Sequence, residues 1–158
     1  MVFAVIGAIV DLGTLLREST VIIQATRSGA RVGAARAGDT AISGEWCAPS
    51  ASISGSANCA AVLSWSGPQA LNPAIEMALR KTCRYLDDTG YDPAEWQVIA
   101  ERNERREGTS PELRQPTIQV RIQQSDPSVK RCLICFGGMF ASLTLGEATE
   151  FPAQVACS

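Results

Sequence analysis

A chain of 158 residues that is 46% hydrophobic and 19% charged has one domain's length and enough apolar matter to bury a core, so wholesale disorder is excluded. Lys and Arg number 14 against 16 Asp and Glu, a net charge of -2, which leaves no basic field to grip nucleic acid. Histidine is absent, which removes His triads, His metal sites and imidazole switches, while six cysteines fit a disulfide framework in an oxidising compartment.

From Val2 to Leu16 the chain is almost wholly apolar, with Asp11 set inside the run. As a helix this stretch reaches about 22 Å, short of the roughly 30 Å of bilayer hydrocarbon. Nothing basic precedes it and no clear small-x-small site follows, which speaks against a cleaved secretory signal. Leu12, Leu16, Ser19, Ile23, Thr26, Ala30, Gly33 and Ala37 continue one face at spacings of three and four, with no proline before Pro49. One helix from about Phe3 to Ala37 is predicted, apolar all round at first and amphipathic afterwards. In its second half Ala25, Gly29, Gly33 and Ala37 recur every four residues, a ladder that lets another element approach the backbone closely. Each glycine costs about 1 kcal/mol of helix propensity relative to alanine, and close packing is the expected compensation. The partner is either the chain's own domain or a neighbouring subunit; the pattern does not choose.

The turn Asp11-Leu12-Gly13-Thr14-Leu15-Leu16-Arg17-Glu18, followed by Ala25-Thr26-Arg27-Ser28-Gly29-Ala30-Arg31, resembles the TadE-like family. These are pilin-like subunits, or pseudopilins, of the tight-adherence pilus machinery. The likeness covers residues 1 to about 40, with Asp11, Gly13, Arg27, Gly29, Ala30 and Arg31 on the motif positions. Leu12 stands where an aromatic is usual. The family's apolar run is longer and is introduced by a glutamate and a prepilin-peptidase site. A chain beginning several residues inside the membrane helix would account for that difference. The resemblance implies a structural minor pilin rather than an enzyme, with other pilus subunits and membrane lipid as partners. Its place would be the inner membrane with a periplasmic head, or the outside of the cell in an assembled pilus. Arg17, Arg27, Arg31 and Arg36 would by the positive-inside rule keep their flank cytoplasmic. The cysteines demand the oxidising side, and they take precedence.

Residues 38–70 are rich in Gly, Ser, Ala and Pro and read as loop. Cys47 and Cys59 lie within this stretch, and a bridge between them is the first pairing expected, at about 3 kcal/mol. Trp46 and Trp65 flank it as lids over a core. Asn72-Pro73 opens a second helix, with Ala74, Ile75, Ala78, Leu79, Thr82, Cys83 and Leu86 on its inner face and Gly90 at its end. Cys83 is placed there to meet a cysteine of a C-terminal strand. Asp92-Pro93-Ala94-Glu95 is a capping box that argues for a helix through Arg106, whereas Trp96-Gln97-Val98-Ile99-Ala100 could equally begin a strand. The family's pattern places a hairpin here, which favours the strand. Ile118, Val120 and Ile122 alternate with polar residues and make a firm strand. Further strands are predicted at 132–136, 140–145 and 151–157.

Reactive chemistry has little material. Cys132-Leu133-Ile134-Cys135 lies in strand-like sequence, where a separation of three points the two sulfurs to opposite faces. A redox thiol wants a helix N-terminus instead. A four-cysteine zinc site would need a second close pair, which Cys47, Cys59, Cys83 and Cys157 do not offer. No phosphate loop or nucleophile elbow occurs, and no small-molecule substrate or cofactor is called for. Asp11 is either paired with a cation of a neighbouring subunit or placed at the water interface, the simpler reading. The expected architecture is α+β and pilin-like: a partly transmembrane helix over residues 1–37, then a disulfide-stapled head over 38–158 with a second helix on a small antiparallel sheet. A periplasmic thiol–disulfide protein using Cys132 and Cys135, or a single-span envelope protein with a partner-binding head, are the competing readings.

Overall fold

A computed structural model describes residues 2–39, 46–47, 52–106, 114–125 and 146–153. Helix α1 runs unbroken over Val2–Ala37, as the periodicity and the lack of proline require. After it come β1 (Ser54–Asn58), α2 (Cys59–Ser64), α3 (Pro73–Asp88), a 3-10 turn (Pro93–Glu95), β2 (Trp96–Arg106), β3 (Arg114–Gln124) and β4 (Gly146–Pro152). The class is α+β.

The strands form one antiparallel sheet in the order β1-β2-β3-β4. Period-two alternation gives it two unlike faces. Val98, Ala100, Ile118, Val120 and Ile122 point inward and are buried. The outer face is polar and cross-linked: Gln97 donates to Ser56 at 3.0 Å and accepts from Gln123 at 2.9 Å, while Arg121 meets Glu101 at 3.3 Å. Helices α1 and α3 pack along each other, α1 also lying against β3 and β4. Their facing residues close the core.

Local chemistry sets the ends of α3. Asn72 caps its start by accepting from the Ala74 amide at 3.0 Å. At its end Gly90 takes φ +84, the left-handed region where only glycine is at ease. The Tyr91 amide then reaches the Leu86 carbonyl at 3.1 Å and the Gly90 amide reaches Asp87 at 2.9 Å, a Schellman closure. The capping box at residues 92–95 makes a single 3-10 turn, with Asp92 accepting from the Ala94 amide, and the chain then extends as β2. Strand wins over helix because Trp96, Val98 and Ala100 must alternate into the core opposite Ile122 and Val120.

Three expectations change. Residues 38–70 are not all loop: β1 and α2 lie within them. The last strand begins at Gly146 and ends at Pro152, so it starts five residues earlier than residue 151 and Ala153 is already outside it. The strands predicted at 132–136 and 140–145 lie outside the described residues.

The third change is the disulfide. Cys59 bonds Cys83, their Cα atoms 5.1 Å apart, instead of Cys47, and Cys83 bonds no C-terminal cysteine. Cys47 is disulfide-bonded too, with another partner than Cys59. Geometry explains the correction. Trp46, next to Cys47, is tied by its carbonyl to Arg102 at 2.9 Å, beyond the Ser54 end of β1. Cys59 follows Asn58 at the other end, five strand residues away, on the order of 15 Å. A disulfide tolerates about 7 Å between Cα atoms. Cys59 instead opens α2 with its side chain buried against the inner face of α3, where Cys83 waits.

Candidate functional site

Along α1 one stripe is buried towards both ends, at Gly7 and Asp11 and again at Ile22, Ala25, Gly29 and Gly33, and is half-buried between them at Leu15, Glu18 and Ser19. What surrounds that stripe differs between the two halves. From Ile22 to Ala37 the helix is part of the head's core. Over residues 5–16 six large side chains face outward, Val5, Ile6, Ile9, Val10, Leu12 and Leu16, between 46% and 63% exposed, while Leu15 is half-buried. Fully burying one such side chain is worth about 1.5–3 kcal/mol. Half-exposed, the six leave roughly 6 kcal/mol of burial still available to a partner. A contiguous apolar surface of that kind marks an interaction site.

The small-residue ladder is a seam inside the chain. A Cβ on Gly29 would stand 1.9 Å from Thr82 Oγ1 and 2.9 Å from the Ala78 carbonyl oxygen. On Gly33 it would stand 2.5 Å from Ile118 Cδ1, 3.0 Å from Ala78 Cβ and 3.1 Å from the Ala74 carbonyl oxygen. Ala25, Ala30 and Ala37 are fully buried beside them. Thr26 completes the contact, its hydroxyl 2.8 Å from that of Thr149 on β4. Of the two partners open to the ladder, the chain's own α3 and β3 fill the place. Gly13 is different: no atom lies within 4 Å of a Cβ built there.

Asp11 is 5% exposed, and its Oδ1 has no hydrogen-bond partner among the described residues. It is therefore not a residue standing free at a water interface. Of the arginines, Arg31 lies over the Phe151 ring at 5.3 Å and Arg36 pairs with Asp39 just past the helix end. Trp46 is fully buried, donating to Asn72 Oδ1 at 3.2 Å, and Trp65 is half-buried against the core, so both serve as lids. Cys132, Cys135 and Cys157 lie outside the described residues. Among the described residues no three of Cys, Asp and Glu gather as a metal site, and no helix is long and apolar enough to cross a membrane.

Sequence reasoning passed over the residues that build the outer α3 surface. Arg80 bonds Glu76 at 2.8 Å, the Trp65 carbonyl at 3.0 Å and the Gly67 carbonyl at 2.6 Å, while Glu76 accepts from the Gln69 amide at 2.9 Å. Together they pin the turn between α2 and α3. The available signal was the Glu76-x-x-x-Arg80 spacing, which puts the two on one helix face. Tyr85 donates to Gln24 at 2.5 Å and ties α3 to α1.

No family model, no curated protein and no solved structure matches this chain. The functional reading therefore rests on the residues themselves.

Proposed function

We propose that the chain is a structural subunit of a pilin-like filament of the TadE-like kind, with the exposed half of α1 as its assembly arm. The observation that supports this is the division of one 36-residue helix into a half built into a disulfide-stapled head and a half carrying exposed large apolar side chains. Half-exposed apolar side chains of this kind gain most by packing among helices of neighbouring subunits. Before assembly the same surface lies in the lipid of the inner membrane, with the head on the periplasmic side. Assembly carries the head to the outside of the cell. The role is structural, at the start, tip or body of an adhesive filament, and calls on no cofactor.

The test is a pair of substitutions, Ile9→Lys with Leu16→Lys, on the exposed side of the arm. Thermal unfolding of the head is expected to stay within about 2 °C, because surface changes rarely exceed 0.5 kcal/mol. Recovery with membranes and incorporation into filaments are expected to be lost. Unaltered filaments and membrane recovery would defeat the proposal.

A further inference from the structure

We propose that the groove along the outer α1–α3 seam docks an acidic peptide segment of a partner protein. The inference goes beyond the filament reading and concerns the head alone. Two clefts lie there. One, of about 240 Å³, is floored by Val32, Leu63, Trp65 and Met77 and rimmed by Arg80, Lys81 and Arg84. The other, of about 490 Å³, shares Val32 and runs on between Arg27 and Arg31 of α1 and Tyr85 of α3. Cations thus line both of two neighbouring clefts that share Val32, in a chain whose net charge is -2.

Their engagement is unequal. Arg80 is used internally, held by Glu76 and two carbonyls and lying 5.4 Å over the Trp65 ring. Arg31 lies over Phe151. Arg27, Lys81 and Arg84 have no ion-pair partner among the described residues. Glu76 is committed to Arg80 and to the Gln69 amide, so it neutralises neither Lys81 nor Arg84. The next acidic side chains along α3 are Asp87 and Asp88, exposed about one turn beyond Arg84, and neither pairs with Arg84 within 4 Å.

The floor supplies the second half of the recognition. Among the described residues, Met77 is the one large apolar side chain outside the α1 arm that is left exposed, at 43%. A methionine beside a half-buried tryptophan is an adaptable apolar seat. A ligand matched to this groove carries carboxylates on both sides and an apolar side chain between them, which is an acidic peptide with a hydrophobic anchor. Gln24 and Ser28 on the α1 bank offer neutral polar groups to a peptide backbone. Lipid fits less well. The groove's α1 residues, 24–32, lie 8 to 16 positions past Leu16, about 12–24 Å along the helix, beyond a headgroup layer if the arm is in the bilayer. Nucleic acid is disfavoured by the overall negative charge and by the exposed Asp87 and Asp88 one turn beyond Arg84.

The full chain in detergent micelles is titrated with an eight-residue peptide alternating glutamate and leucine, capped at both ends, and with its glutamine counterpart. Tryptophan emission reports binding, since Trp46 and Trp96 are fully buried and Trp65 lines the groove. The emission change is expected to vanish in Trp65→Phe. Saturable binding is expected at low salt, weakening as salt rises, with the glutamine peptide at least about tenfold weaker. Lys81→Gln with Arg84→Gln is expected to weaken binding by about tenfold or more while leaving thermal unfolding unchanged, both side chains being exposed. Met77→Gln is expected to weaken binding severalfold and keep the salt dependence. Any of four results overturns the proposal. These are no binding of the acidic peptide, equal binding of the glutamine peptide, unaltered affinity in the double variant, or occupation by vesicles of anionic phospholipid or by a second copy of the chain instead. Filament loss with intact peptide binding in the Ile9→Lys, Leu16→Lys variant separates this site from the assembly arm.

Discussion

The two halves of α1 share a backbone and an inward stripe but differ in what the rest of the helix meets. The first half exposes most of its large apolar side chains; the second sets alanine, glycine and threonine beside Ile22 and forms part of the core. Hydrophobicity alone would assign them the other way round. What decides is how closely a neighbour can come. Dispersion contacts fall steeply with a gap of even 1 Å, and the small-residue half lets α3 sit almost on its backbone. A row of leucines at Gly29 and Gly33 would hold α3 away. The large side chains of the first half are suited to an apolar environment that the head does not provide.

The staple beneath the buried half carries the largest expected effect. The Cys59–Cys83 bond closes a separation of 24 residues and holds α2 onto the helix against which α1 packs. Removing it through Cys59→Ser is expected to cost about 3.5 kcal/mol in the chain-entropy model. Mass spectrometry after alkylation should find Cys83 newly labelled and Cys47 unlabelled. Labelling of Cys47 in place of Cys83 would break the assignment.

Next comes the seam itself. Gly29→Leu sets a side chain where even a Cβ meets Thr82 Oγ1 at 1.9 Å and a backbone carbonyl at 2.9 Å. Overpacking of this kind costs about 1–3 kcal/mol, and the gain in helix propensity of about 1 kcal/mol offsets only part of it. A net loss of up to about 2 kcal/mol lowers the melting temperature by up to roughly 4–8 °C in a domain of this size. An unchanged melting temperature would remove the seam from the monomer's core. Thr26→Val is gentler: it keeps the shape but leaves the Thr149 hydroxyl without its 2.8 Å partner, for an expected loss of about 1 kcal/mol.

The contrast also marks how far the sequence could be read. The unbroken α1, the caps and Gly90 end of α3, and the alternation of β3 each follow from local chemistry, and each stands where the pattern put it. Strand β1 could not be seen that way. Ser-Gly-Ser-Ala-Asn has almost no strand propensity, and it is a strand because its Gly55 lets Ile75 of α3 come within 2.7 Å of where a Cβ would be. Missing β1 also misplaced the disulfide, since Cys47 and Cys59 look close only while the segment between them is taken for a loop. The glycine ladder was legible as a place of close approach. Its partner was not, because spacing on one helix carries no information about which surface arrives. The cleft cations were invisible for the same reason: Arg27 and Lys81 come to neighbouring clefts only through the α1–α3 packing.

The smallest effect gives the finest discrimination, because it uses the same substitution at two points of one helix. Gly33→Ala adds a Cβ 2.5 Å from Ile118 Cδ1, 3.0 Å from Ala78 Cβ and 3.1 Å from the Ala74 carbonyl oxygen. Ile118 can turn its end aside, but the other two contacts are fixed by α3, so a net loss of about 1 kcal/mol is expected despite the better helix former. Gly13→Ala meets nothing within 4 Å. There the propensity gain acts alone, up to about 1 kcal/mol, so the melting temperature should rise by roughly 1–3 °C. Opposite signs would show that one helix has a packed half and an open half. A loss at Gly13 as well would mean that the arm is covered within the monomer. A gain in monomer stability together with reduced filament yield would place a second close approach at Gly13, this time between subunits, because only an assembled neighbour could then feel the added methyl group.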